Sequence, residues 1–233
     1  MAQAHLKQVE KMTAVDELIS GIAHEIKNPL ASLSGAIQLL QEDTQQGSSE
    51  DNLMQIILRE TARLENIVND IRVFAKPNID NACELKLPDV ISETVELFLN
   101  DPKWSRKIRF HFDLDPRVSV CMDPVHFNQI LWNLLKNAAQ SIEGEGIIKI
   151  SLYSTANHCV YFSIQDSGKG IDPKDKRHIF DPFYTTKANG TGLGLSIVHR
   201  LIDAYGGMIN FKSNPDKGTI FIVRFNAMAS MSS

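Results

Sequence analysis

The segment His24-Glu25-Ile26-Lys27-Asn28-Pro29-Leu30 lies at the centre of the first long helical pattern in the chain. Apolar residues recur around it at steps of three and four, at Val15, Ile19, Ile22, Ile26, Leu30, Leu33, Ile37 and Leu40. This spacing predicts an amphipathic helix with one apolar stripe. Proline removes a main-chain hydrogen bond, so Pro29 predicts a kink inside this helix.

A second helical pattern follows a polar break that runs from Gln41 to Asp51. Its apolar positions are Leu53, Ile57, Leu64, Ile67 or Val68, Ile71 and Phe74. Lys76-Pro77-Asn78 ends it, because a residue before proline disfavours helical backbone. The two patterns predict a helical hairpin. Two helices alone bury little apolar surface, so we expect a homodimer in which two hairpins form a four-helix bundle.

The chain after residue 78 has a mixed pattern of short strands and helices. Strands are predicted at 85–87, 107–114, 118–122, 147–154, 159–165, 208–213 and 219–225, and helices at 88–99, 123–141 and 192–205. This order is not a strict alternation and predicts a layered α+β sandwich. We therefore expect a hairpin domain at 1–78, a second domain at 79–227 and a disordered tail at 228–233.

His24 is the first candidate for chemistry. The helical period places it roughly opposite the centre of the apolar stripe, so its imidazole is predicted to face solvent, with Glu25 beside it and Asn28 one turn away. An exposed imidazole next to a carboxylate can act as a nucleophile, because the carboxylate orients the ring and accepts its proton. Taken alone, the pattern favours an ordinary surface histidine.

Asn133 and Asn137 lie four residues apart on an otherwise apolar helical pattern, and thus on one helix face. Buried amides need hydrogen-bond partners. One interpretation is bonding to neighbouring backbone. The other is binding of Mg²⁺ and phosphate, because an amide oxygen is a hard ligand that suits magnesium.

Asp166-Ser167-Gly168-Lys169-Gly170 follows a predicted strand. A carboxylate at a strand end can accept a hydrogen bond from an exocyclic amine. Gly168 and Gly170 would let the backbone approach a flat ligand closely. The alternative interpretation of the same residues is a tight turn that binds no ligand.

A loop of about 20 residues follows, from Ile171 to Gly190, and loops of this length are usually functional or disordered. Within it Phe180 and Phe183 flank a proline and could anchor a lid, and Lys187 could reach a phosphate; a satellite apolar cluster is the alternative. The segment Gly190-Thr191-Gly192-Leu193-Gly194 then precedes a helix. Glycine-rich backbone at a helix N-terminus can hold phosphate, although one such segment is weak evidence.

Composition excludes several classes of protein. The 233 residues are 43% hydrophobic and 22% charged, which is typical of a globular chain. A net charge of -4 argues against nucleic acid as a partner. Three dispersed cysteines argue against a disulfide framework and fit a reducing compartment. No apolar run reaches the roughly 18 residues of a membrane span. We expect a cytoplasmic protein, tethered to a sensor or membrane domain if it belongs to a longer parent.

In the order of these motifs, residues 13–225 resemble the sensor histidine kinases of two-component signalling. The sequence around His24 is most similar to that of kinases of the nitrogen-regulation and pilus-regulation type. The resemblance implies a gyrase-type α/β sandwich that binds ATP. It implies that His24 is the phosphoacceptor, that Glu25 is its acid–base partner, and that Asn28 orients water when a partner is dephosphorylated.

The same resemblance implies the roles of the other motifs. Asn137 would coordinate Mg²⁺ with Asn133 nearby, and Asp166 would bind the adenine amine in a pocket shaped by Gly168 and Gly170. The mobile lid would contain Phe180, Phe183 and Lys187, and the phosphates would be wrapped by the segment from Gly190 through Thr191, Gly192 and Leu193 to Gly194. The expected activity is autophosphorylation on His24 and transfer to an aspartate of a response-regulator receiver domain, with phosphatase activity toward the same partner.

Two alternatives are a gyrase-like or chaperone-like ATPase and a non-catalytic dimeric scaffold. The ATPases of that fold carry a glutamate where this chain has Asn133, and glutamate can activate water as a general base whereas asparagine cannot. A non-catalytic scaffold would not need His24, Asn137 and Asp166, and their presence argues against it. The kinase is therefore the favoured hypothesis.

Overall fold

The computed structural model describes residues 26, 28–37, 47–75, 77, 79–156, 159–187, 190–215 and 217–226. Its elements, in chain order, are α1 (residues 28–37), α2 (Gly47–Ala75), β1 (Cys83–Lys86), α3 (Leu87–Leu99), α4 (Pro102–Ser105), β2 (Ile108–Leu114), β3 (Ser119–Met122), α5 (Pro124–Ser141), β4 (Gly146–Ser154), β5 (Cys159–Asp166), α6 (Gly194–Ala204), β6 (Met208–Ser213) and β7 (Thr219–Asn226). None of the described helices is long and apolar enough to span a membrane.

Two compact units divide the chain. The first runs to Arg72 and includes Pro182–Leu193, and the second comprises Val73–Asp181 and the chain from Gly194 onward. The predicted tail at 228–233 lies outside the described residues, and so do His24 and Glu25 with the predicted solvent exposure of His24.

The helices of the first unit fit the predicted hairpin, with one correction. The polar break was predicted to reach Asp51, but α2 begins at Gly47. The sequence is compatible with the earlier start, because acidic residues such as Glu50 and Asp51 are favourable near the beginning of a helix. Helix α1 continues past Pro29, which is buried, so proline does not end the first helix.

Both helices of this unit carry buried and exposed apolar residues. Leu53 and Ile67 on α2 and Ala36 on α1 are buried. In contrast, side chains between 45% and 63% exposed occur on the same two helices at Leu30, Ile37, Met54, Leu58 and Val68. More apolar surface is thus present than this single chain covers in the described residues.

The second unit contains a five-stranded mixed sheet in the order β2-β4-β5-β7-β6 and a small antiparallel pair, β1 with β3. Strands β2 and β4 are parallel, and the remaining neighbours are antiparallel. In the centre of the sheet Ile150 lies opposite Ile164, which in turn lies opposite Phe221. All three side chains are buried, as the period of two along each strand predicts.

Helices cover one face of this sheet. Helix α5 contacts β5, α6 contacts β6, and α5 also contacts both α3 and α6. Phe127 of α5 and Phe162 of β5 meet edge to face, with ring centroids 5.6 Å apart. Asp123 begins α5 because its side chain accepts a hydrogen bond from the N–H of Val125 at 2.8 Å, and Pro124 occupies the first turn. The predicted α+β sandwich is confirmed.

Candidate functional site

The side chain of Asp166, at the end of β5, is the most strongly constrained polar group of the second unit. Asp166 is only 5% exposed. Its Oδ1 atom accepts hydrogen bonds from the N–H of Gly168 at 2.8 Å, the hydroxyl of Ser141 at 2.9 Å and the N–H of Thr219 at 3.2 Å. Oδ2 takes part in none of these three bonds. The carboxyl group is therefore held through Oδ1, and Oδ2 remains an acceptor for a further hydrogen bond.

Burial raises the pKa of Asp166 above its ordinary value, because the ionised form is poorly solvated there. The hydrogen bonds from Gly168, Ser141 and Thr219 oppose this shift, since they stabilise the carboxylate. The group is an acceptor when it is ionised and a donor when it is protonated.

The backbone approaches closely around this carboxyl group, and glycine is required where it does. A Cβ atom on Gly168 would lie 2.0 Å from the Ser141 hydroxyl oxygen. One on Gly170 would lie 2.2 Å from the main-chain oxygen of Asn214. Gly218 is a third such position, because its Cβ would lie 1.9 Å from the main-chain oxygen of Asp166. These contacts explain the glycines of the predicted motif and add one outside it.

Asn133 and Asn137 lie one turn apart on α5 and are both half-buried. The side-chain amide of Asn133 donates to the main-chain oxygen of Gln129 at 3.0 Å. Its Oδ1 faces Gly194, the first residue of α6, since a Cβ on that glycine would lie 3.0 Å from it. The bond to the main chain agrees with the first interpretation of Asn133 made from the sequence. The second, binding of Mg²⁺ and phosphate, stays a prediction.

The long loop is built from turns between residues 173 and 187. Phe180 belongs to the second unit, where its ring lies 5.3 Å from that of His199 and 6.0 Å from that of Phe211. This contact supports the satellite apolar cluster that the sequence left open for Phe180. Close to Phe180 in the chain, Nδ1 of His178 and Oδ2 of Asp181 are within hydrogen-bond distance, at 2.6 Å.

Phe183 and residues 190–193 of the glycine-rich segment belong to the first unit. Phe183 has φ +62°, an uncommon conformation for a bulky residue. A Cβ on Gly192, whose own φ is +69°, would lie 2.3 Å from the carbonyl carbon of Phe183. The backbones of Phe183 and Gly192 are therefore in close contact.

Other residues of this segment are ordered by local hydrogen bonds. Thr191 accepts a hydrogen bond from the N–H of Leu193, a buried residue, at 3.3 Å. The N–H of Lys187 donates to the hydroxyl of Thr185 at 3.1 Å, and the side chain of Lys187 is exposed. Gly190 also lies against Thr185, since a Cβ there would be 2.5 Å from that hydroxyl oxygen. In α1 of the same unit, Asn28 is exposed on the helix.

The structure adds Ser141, Gly218 and Thr219 to the residues predicted from the sequence. Gly218 and Thr219 had a visible signal, because a glycine just before a strand is typical of a tight turn. Ser141 had none: it lies 25 residues from Asp166 in the chain, and their contact depends on how α5 packs on β5.

Two family models match the chain. Residues 14–78 match the His Kinase A (phospho-acceptor) domain, and residues 122–228 match the histidine kinase-, DNA gyrase B- and HSP90-like ATPase.

Relatives and solved structures agree with these matches. The sensor histidine kinase ZraS of Salmonella typhimurium is 35% identical over 219 residues, which are 94% of this chain and 47% of that protein. The chain thus spans about half the length of this curated relative. The catalytic domain of the histidine kinase ThkA is 35% identical with a TM-score of 0.56, and the match covers 62% of this chain and 95% of that domain.

ThkA in complex with the response regulator protein TrrA matches over 97% of this chain and 66% of that one, at 30% identity and a TM-score of 0.75. Both halves of the chain thus match domains of one family. The chain belongs to the sensor histidine kinases of two-component systems.

Proposed function

We propose that this chain is a kinase core that binds ATP, phosphorylates its own His24 and passes the phosphoryl group to an aspartate of a response regulator. The geometry of Asp166 carries this proposal. Three donors occupy Oδ1, which leaves Oδ2 to accept a hydrogen bond from the exocyclic amine of adenine. A buried acceptor distinguishes adenine from a base with a carbonyl at that position, because a mismatch leaves buried polar groups unpaired.

The phosphates fit the other motifs of the chain. Asn137 and Asn133 offer amide oxygens, the ligand type that suits Mg²⁺, which would neutralise phosphate charge when bound. The glycine-rich segment from Gly190 to Gly194 offers backbone N–H groups, and the exposed Lys187 offers a cation.

The transfer step needs a nucleophile and a route for one proton. A ring nitrogen of His24 forms a bond to the γ-phosphorus while the bond from that phosphorus to the bridging oxygen breaks and ADP leaves. Glu25, its neighbour in sequence, accepts the proton that the imidazole releases. The phosphohistidine then donates its phosphoryl group to a receiver aspartate. The opposite activity is dephosphorylation of the partner. For this step we assign Asn28, which is exposed on α1, the role of orienting water toward the phosphorylated partner.

We further propose that the kinase acts as a homodimer in the cytoplasm, where ATP is available. The exposed apolar residues of α1 and α2, among them Leu30, Ile37 and Leu58, support pairing of two hairpins. The complex of ThkA with its response regulator supports a receiver domain as the second partner.

Incubation with Mg²⁺ and γ-labelled ATP tests the proposal. The wild-type chain should acquire acid-labile label, His24→Ala should acquire none, and His111→Ala, a change at an exposed histidine on β2, should label like the wild type. His24→Ala should still bind ADP. Label on His24→Ala would identify another acceptor, and sustained ATP turnover without phosphoprotein would indicate a gyrase-like ATPase instead.

A further inference from the structure

We propose that Ser141 is a positioning residue that sets the base selectivity of the nucleotide site, because its hydroxyl holds Asp166 with Oδ2 turned toward the base. This inference rests on the proposed function, in which Asp166 binds the adenine amine. It concerns a residue at the end of α5 that makes no bond to the nucleotide itself.

The Ser141 hydroxyl has two acceptors within reach but only one proton. Its oxygen lies 2.9 Å from Asp166 Oδ1 and 2.8 Å from the main-chain oxygen of Ala138. A carboxylate is the stronger acceptor, because hydrogen bonds to ionised groups are roughly twice as strong as neutral ones. The proton therefore favours Asp166 whenever that group is ionised.

The backbone of Ser141 is fixed by a second contact. Its carbonyl accepts a hydrogen bond from the N–H of Lys169 at 3.1 Å, on the far side of Gly168. The serine is thus tied to the loop after β5 through its main chain and to Asp166 through its side chain. The main-chain bond fixes the position from which the hydroxyl reaches the carboxyl group.

Ser141 is also the only side chain among the described residues that donates to Asp166. The other two donors, from Gly168 and Thr219, are main-chain N–H groups that substitution cannot remove. The groups that face the carboxyl group from α5, from the loop after β5 and from β7 are these three donors, and none of them titrates. Position 141 is therefore where a change in sequence can alter how Asp166 is held.

Loss of the hydroxyl has two consequences at Asp166. The carboxyl group loses one restraint on its orientation, and its pKa rises further, because burial already raises it and Ser141 opposes that shift. A protonated Asp166 would donate a hydrogen bond and so favour hypoxanthine, whose carbonyl replaces the adenine amine. A Ser141 variant should therefore discriminate less between ADP and inosine diphosphate.

Calorimetric titration of the full chain with ADP and with inosine diphosphate, in the presence of Mg²⁺, measures this selectivity. In Ser141→Ala we expect ADP affinity to fall about tenfold, the scale of one hydrogen bond to a charged group, with little change for inosine diphosphate. The pH below which ADP binding is lost should rise by about one unit, the equivalent of that tenfold change. Ser141→Cys, which keeps a weaker donor, should lie between Ser141→Ala and the wild type.

Ser92→Ala is the matched control, because Ser92 is an exposed helical serine whose hydroxyl bonds only to the main-chain oxygen of Pro88 at 2.9 Å. It should bind both nucleotides like the wild type. Equal losses of both nucleotides in Ser141→Ala, or an unchanged ratio and pH midpoint, would overturn the role of Ser141 alone. A wild-type chain with no preference for ADP over inosine diphosphate would overturn the proposed function of Asp166 itself.

Discussion

The main-chain carbonyl of Ser141 accepts a hydrogen bond from the N–H of Lys169 at 3.1 Å, which joins the last residue of α5 to the loop after β5. Asn133 and Asn137 lie on the same helix, and Asp166 lies at the start of the same loop. The spacing between these residues is therefore set by main-chain contact and by the absence of a side chain at Gly168. Backbone packing of this kind predicts that the glycines around Asp166 are sensitive to substitution.

Gly218→Ala is expected to destabilise the second unit strongly. Gly218 has φ +78°, and its Cβ would lie 1.9 Å from the main-chain oxygen of Asp166. The left-handed backbone costs about 1–2 kcal/mol for alanine, and the clash adds about 1–3 kcal/mol. Gly144→Ala is the matched control, because Gly144 has φ +82° with nothing within 4 Å. Urea unfolding should show a larger loss for Gly218→Ala, and equal losses would contradict the close contact.

Asp166→Asn is expected to keep or raise the free energy of unfolding while it abolishes preference for ADP. Its amide oxygen can accept the hydrogen bonds that Oδ1 accepts now. Burial raises the pKa of Asp166, so the stability this group contributes is present at low pH and is lost as pH rises through the raised pKa. Asparagine stays neutral and loses nothing over that range.

Unfolding curves of the wild type and Asp166→Asn from about pH 4 to about pH 7 check this sign. The free energy of unfolding of Asp166→Asn should increase relative to that of the wild type as pH rises. A difference that stays constant with pH, or that reverses in favour of the wild type at neutral pH, would mean that burial does not dominate at Asp166.

Much of the second unit could be predicted from the sequence, because its signals are local. Asp123 followed by Pro124 fixes the start of α5, and alternating apolar residues fix β4 and β5. Asp166 was identified for the same reason, since it directly follows a strand. Local signals also explain the error at residues 47–51, where a polar composition was interpreted as a loop although its acidic residues favour a helix start.

The rest of the site depends on tertiary neighbours that no local pattern shows. Thr219 donates to Asp166 because β7 pairs with β5 in one register, 53 residues along the chain. Gly218 is required because that register brings its Cα against the backbone of Asp166. Ser141 reaches the same carboxyl group only through the packing of α5 on β5. The sequence thus identified Asp166 and the nearby donor Gly168, but not Ser141 and Thr219, the two donors that are distant in the chain.

Gly192→Ala tests the segment of the first unit whose backbone N–H groups are proposed to bind the phosphates. Its Cβ would lie 2.3 Å from the carbonyl carbon of Phe183, and main-chain atoms cannot move aside as a side chain can. Such a clash costs about 1–3 kcal/mol, so we expect the rate of autophosphorylation to fall about tenfold. The melting of the second unit should not change.

Gly190→Ala is the matched variant for this prediction. The nearest atom to its added Cβ is the hydroxyl oxygen of Thr185, at 2.5 Å, which side-chain rotation can displace. Label incorporation from γ-labelled ATP should therefore fall less in Gly190→Ala than in Gly192→Ala. The reverse order would place the critical contact at Thr185.

Tyr205→Phe tests a second buried polar cluster, which holds the start of α5. The Tyr205 hydroxyl accepts from the N–H of Asp123 at 3.2 Å and lies 2.7 Å from Nδ1 of the buried His126. Phenylalanine leaves both groups without this partner, so we expect a loss of about 1–3 kcal/mol in the free energy of unfolding at neutral pH. Tyr153→Phe is the control, because Tyr153 is exposed and stacks on Tyr161 through its ring alone.

The pH dependence of this loss has a definite sign. Burial raises the pKa of Tyr205, so the stability that its hydroxyl contributes is present below the ordinary tyrosine pKa and is lost as pH rises through the raised one. The gap between the wild type and Tyr205→Phe should therefore narrow above about pH 10. A gap that widens there would mean that the phenolate, rather than the phenol, is the form stabilised beside His126. Selectivity for ADP should be the same in both proteins, because none of the bonds of Tyr205 reaches Asp166.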